Sequence, residues 1–180
     1  MALTKLNFGG NQQALVASDI PTLTNTQLPT INASKMPTNS IINVKQTFRM
    51  RVTDTILLTS SFTEFLAVAI TPTTTSSKFW VSVSICVDKI GDSHFDAQLR
   101  RDVSGGSETV IGDTGNAFHD CANGFNSVNC HGIGYTMQFI DSPATTTALE
   151  YKFYMRENSG GDIRMTSTGP ASITVMEIAG

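Results

Sequence analysis

The chain has 180 residues, 40% of them hydrophobic, which is enough to bury one core of ordinary size and leave an arm over. Charged residues make up only 15% while Ser and Thr together approach a quarter, so the exposed faces are built from hydroxyls and amides. A net charge of -3, with no Lys/Arg cluster longer than Arg100-Arg101, excludes the basic stripe that nucleic acid requires, and no stretch nears the ~20 apolar residues of a membrane span.

The first residues, MALTKLNFGGNQQALV, contain no apolar run that would serve as a signal-peptide core. The expectation is a protein made in the cytoplasm and delivered elsewhere by assembly or lysis. Residues 1–40 then carry prolines at an eight-residue interval: Ile20-Pro21-Thr22-Leu23, Leu28-Pro29-Thr30-Ile31 and Met36-Pro37-Thr38-Asn39. Proline fixes φ and pushes its predecessor toward extended backbone, so this region reads as an extended arm and not a helix. An extended chain cannot bury the apolar residue before each proline by itself, which makes Ile20, Leu28 and Met36 candidate contacts with partner chains.

From residue 41 to 180 the pattern changes to strands. Phe79, Val81, Val83, Ile85 and Val87 alternate with mostly small or polar residues, the period-two mark of a half-buried strand. Phe95, Ala97 and Leu99 repeat it, as do Tyr135, Met137 and Phe139, and then Leu149, Tyr151, Phe153 and Met155. Turn signals separate the runs: Thr71-Pro72, Gly105-Gly106, Ser142-Pro143 and Gly160-Gly161. The spacing predicts an all-β antiparallel sandwich or barrel of about eight strands. Two aromatic residues, Trp80 and Tyr154, fall on the nominally polar side of their strands, and the chain closes on an apolar strand containing Ile173 and Val175. These four are read as candidate subunit contacts, since aromatic residues are enriched at interfaces; a sugar-stacking platform is the competing reading for the aromatics.

The opening MALTKLNFGG, the stretch Ala69-Ile70-Thr71-Pro72 with residues 73–78, Phe139-Ile140-Asp141-Ser142-Pro143 and the ending from Ala171 to Gly180 resemble short virion proteins of tailed phages from aquatic bacteria. The resemblance implies a fibre, knob or decoration protein whose head is similar to the trimeric jelly rolls of the C1q and tumour-necrosis-factor type. It brings no catalytic residues with it.

Constellations with site chemistry are few. His119-Asp120-Cys121 and Cys130-His131 offer zinc-type ligands, but each half lacks the usual paired spacing of roughly two to four residues. A Cys121–Cys130 disulfide or separate thiols are the other readings, and separate thiols suit reducing synthesis. Cys86 reads as a small residue beneath a second layer. A glycosidase would need two carboxylates roughly 5 to 9 Å apart, for which Asp92 and Asp96 are the nearest offer. The Asp113-Thr114-Gly115 triplet reads as a turn and not as a protease motif. The expectation is therefore a non-enzymatic virion protein without cofactor or metal: a homotrimer with an arm at 1–40 and a head at 41–180. Its partners would be other tail or capsid proteins and a host surface glycan or protein, with no nucleic acid and no membrane insertion. Two alternatives stand beside the tail fibre or spike: a capsid decoration protein and, behind it, a polysaccharide-degrading enzyme.

Overall fold

The computed structural model describes residues 36–49, 56–57, 59–90, 94–111, 118–119, 130–157, 162–165 and 169–180. Among these there is no helix. Eleven strands are present: β1 (Ile41–Arg49), β2 (Ile56–Leu57), β3 (Thr63–Ile70), β4 (Lys78–Ile90), β5 (Phe95–Val103), β6 (Thr109–Val110), β7 (Phe118–His119), β8 (Cys130–Asp141), β9 (Leu149–Glu157), β10 (Asp162–Met165) and β11 (Ala171–Ile178).

The strands form two antiparallel sheets. In the first, β1 pairs with β11, β11 with β4, and β4 with β8, while the short β10 and β2 continue the edge of β4 beyond β11. In the second, β3 pairs with β9 and β9 with β5, and β5 is flanked by β6 and β7. The chain passes from sheet to sheet between β2 and β3, β3 and β4, β4 and β5, β7 and β8, β8 and β9, and β9 and β10. Sheets of six and five strands wound in this order, β1-β11-β4-β8 facing β3-β9-β5-β6, make a jelly roll, so the sandwich expected from the alternating pattern is the fold observed.

The core lies where the two inner faces meet. Phe79, Val81, Val83, Ile85 and Val87 of β4 and Ile173 and Val175 of β11 face Leu149, Tyr151, Phe153 and Met155 of β9 and Leu99 of β5, all of them buried. Tyr151 keeps its hydroxyl there by donating to Asp141 Oδ2 at 2.9 Å, and Arg101 Nη1 lies 2.7 Å from the same carboxylate. Burial and the adjacent carboxylate push the Tyr151 phenol far above its ordinary range. At the same end the buried carboxylate of Glu177 accepts from Thr73 N, from Thr73 Oγ1 at 3.1 Å and from Ser77 Oγ at 2.7 Å, fastening the β3–β4 connection to β11.

The third proline unit is a turn and not an extended stretch. Ser40 N donates to Pro37 O at 3.0 Å, with Asn39 at φ 70°, a left-handed position that Asn tolerates well. Asn39 N then donates to Ala179 O at 2.7 Å and Ala179 N to Ser40 O at 2.8 Å, which joins the residues before β1 to the end of β11.

Candidate functional site

The two outward faces of the sandwich are chemically unlike. On the first sheet, register aligns Val44, Met176, Trp80 and Ile140 in one row across β1, β11, β4 and β8. Val44 is 50% exposed and Ile140 57%, large values for side chains of this type. The next row is Gln46, Thr174, Ser82 and Gln138, and the one after it Phe48, Ser172, Ser84 and Thr136. Between Lys78 at one end of β4 and Asp88 at the other, no outward residue in these rows is charged.

Strand β1 shows how this face arises. Its apolar residues Val44 and Phe48 point outward, whereas Lys45, Thr47 and Arg49 share the side of Val175, Ile173 and Ala171. Arg49 leans over the sheet edge, its guanidinium 5.0 Å from the centre of the Phe65 ring and its Nη1 3.4 Å from Phe65 O. The strand is thus amphipathic in the inverse sense of a core strand.

The outward face of the second sheet is crowded with charge. Lys152 on β9 has Glu108 and Glu150 at 3.2 Å and Asp102 at 3.6 Å. Arg100 on β5 donates to Glu108 Oε2 at 2.9 Å and to Gln98, and lies over the Tyr154 ring, 4.0 Å from its centre. Arg156 pairs with the fully buried Asp96 at 2.7 Å and covers Phe62 at 4.6 Å. The hydrogen bond from Tyr154 and the nearby Arg100 and Lys152 hold the Glu108 carboxyl down at about 2, and Lys152 is in turn raised above its usual range. Partial burial and Glu108 push the Tyr154 phenol up to about 12.

The residues singled out from sequence separate accordingly. Trp80 stands half-buried on the uncharged face. Tyr154 stands on the opposite face, inside the ionic network, so the two aromatics do not share a surface. Ile173 and Val175 are fully buried inside the subunit and cannot reach a neighbour; their strand offers Thr174 and Met176 outward instead. Met36 is half-buried just ahead of the Pro37 turn, while Ile20 and Leu28 lie outside the described residues.

Cys121, Asp92 and the Asp113-Thr114-Gly115 triplet also lie outside them, and among the described residues no cluster of three metal-ligating side chains occurs. Asp96 is committed to Arg156. The exposed side of β1 went unread in the sequence, although the spacing of Val44, Gln46 and Phe48 carries the signal.

The ends of the sandwich also differ. Residues 36–40, the connections 71–77, 104–108 and 142–148, and Ala179 lie at one end. The strand ends at Arg49, Ile90, Phe95, His119, Cys130 and Glu157 lie at the other. Within 102–134, the described connection 104–108 and the start of β8 lie at opposite ends, and β6 and β7 run along β5.

No protein-family model and no curated protein matches the chain. Among solved structures, it is similar to a chain of the infectious bursal disease virus Gt strain at 9% identity and TM-score 0.36, covering 78% of this chain and 39% of that one. The Gx strain gives 6% identity and TM-score 0.37 over 78% and 38%. The T13 particle of that virus gives 11% identity and TM-score 0.37 over 78% and 36%. This chain spans about two fifths of the length of those chains. The likeness is loose, and the jelly-roll assignment rests on strand order and register alone.

Proposed function

We propose that the chain is a virion structural protein, the homotrimeric knob of a phage tail fibre or spike that meets the host surface. The observation that carries this reading is the polarity of the jelly roll. The start of β1 lies at one end, where Ser40 and Ala179 are bonded, and the described strand ends at Arg49, Ile90, Phe95, His119, Cys130 and Glu157 are gathered at the opposite end. An appendage held at its base and touching at its tip needs this arrangement. The resemblance of both chain ends to tailed-phage virion proteins supports the same placement.

The uncharged sheet face also suits a protein laid against a capsid, which is the second reading. Copy number separates the two. Quantitative mass spectrometry of purified virions is expected to give tens of copies or fewer; hundreds would indicate capsid decoration instead. Purified protein should also compete with virions for adsorption to host cells, and absence of competition at saturating protein would count against host attachment.

A further inference from the structure

We infer that the outward face of the β1-β11-β4-β8 sheet, continued around the open edge of β8, is the surface through which copies of this chain pack against one another. This deepens the homotrimer reading and rests on it. Three observations lead there.

The first is the row Val44, Met176, Trp80, Ile140, a continuous apolar band across four strands, flanked by neutral hydroxyls and amides. Bands of this kind on a chain with an otherwise polar surface mark contacts with protein. The second is the edge of β8. Among the described residues β8 pairs only with β4, and from Gly132 to Ile140 it carries no charged residue. Its inward side chains Ile133, Tyr135, Met137 and Phe139 are only partly buried against the core. Natural sheets guard their edges with charge, as β1 does with Lys45 and Arg49; β8 has no such guard and needs a cover.

The third observation selects a second copy as the occupant. A partner of defined charge would be met by opposite charge, but the rows from Val44 to Thr136 on this face carry none, and the described ionic network of Arg100, Glu108, Lys152, Arg156 and Asp96 is paired on the other sheet. A neutral face meets its own copy without repulsion. Four strands at ~4.8 Å spacing and about nine residues at ~3.3 Å rise give a plane of roughly 500 Å². A stable interface needs about 800 Å² per partner, so the face alone falls short and the β8 edge completes it. A face and an edge set at an angle are different patches, which favours a closed ring over a two-fold pair.

The single tryptophan, Trp80, reports on this surface directly. The test is light-scattering mass together with acrylamide quenching of Trp80 in the full chain, in the double variant Ser84→Lys/Gln138→Lys, and in Ala69→Lys. Ser84 and Gln138 are exposed on the proposed face and Ala69 is exposed on the opposite one, so both variants are expected to keep the circular dichroism of the parent. The expected result is a trimer with shielded Trp80 in the parent and in Ala69→Lys. In the double variant the quenching constant should rise severalfold, with the mass falling to one copy or staying at three where the N-terminal residues hold the copies together. Equal quenching in parent and double variant overturns the inference while a trimeric mass leaves the homotrimer standing. A monomeric parent overturns both, and one with shielded Trp80 identifies the chain's own N-terminal residues as the cover.

Discussion

Tyr154 donates its hydroxyl to Glu108 Oε1 across 2.7 Å, joining a mid-strand residue of β9 to the turn between β5 and β6. The bond favours the ionised carboxylate, together with Arg100 and Lys152. A carboxyl whose folded value is depressed stabilises the fold above its ordinary 4.5, and that contribution disappears as pH falls toward about 2. Acid unfolding of the parent should therefore show stability falling through this window. Tyr154→Phe should flatten the fall, measured as the difference in urea midpoint above and within it.

The same pair sets a limit at high pH. Tyr154 is held neutral up to about 12, so the folded state loses ground once the unfolded chain ionises its phenol near 10.0. Ultraviolet titration of the folded protein should show its phenolate absorbance rising late. Glu108→Gln should bring one tyrosine back toward the ordinary range, and no movement in that variant would contradict the assignment.

Ile173 separates packing from assembly. It is fully buried between the sheets, so Ile173→Ala should cost about 3 kcal/mol of unfolding free energy. The assembled mass under native conditions should not change. A drop in mass without loss of stability would mean that β11 contacts a neighbour through its inner residues.

Arg101 and Asp141 form an enclosed ion pair at the end of the core, at 2.7 Å and with Tyr151 as a second donor. Asp141→Ala leaves the guanidinium without its counter-charge and should cost about 3 kcal/mol. Combining it with Arg101→Met should recover part of that loss. A double variant as unstable as the sum of the singles would show that the two side chains are not coupled.

Glu177→Gln should loosen the β3–β4 connection. The neutral amide accepts fewer of the hydrogen bonds from Thr73 and Ser77, at a cost of about 1–2 kcal/mol. Amide exchange at Thr73 should accelerate well before global unfolding.

Much of the fold was legible because β4, β5, β9 and β11 each present a clean period-two pattern to a shared core. Strand β1 was not legible on those terms. Its apolar residues face outward and its basic ones lie at the sheet edge, so the pattern says strand but gives the wrong side as inner. Tyr154 was placed on the correct side of its strand, yet its partners Arg100 and Glu108 come from other elements and no local spacing announces them. Ile173 and Val175 were assigned to a contact from their position in the final strand, and the parity of β11 sends them inward. The proline repeat at Ile20 and Leu28 lies outside the described residues, whereas its third copy closes a turn just before β1.

That turn has a mechanical meaning. Tension arriving through Ser40 pulls along the axis of β1, whose hydrogen bonds to β11 run across the pull from the Ile41–Ile178 pair to the Arg49–Ala171 pair. With the far end of the sandwich anchored, these bonds are strained together in shear and not opened one at a time. Withdrawing β1 would require the whole ladder to give way at once, so the joint resists a steady tug along the strand far better than a sideways peel.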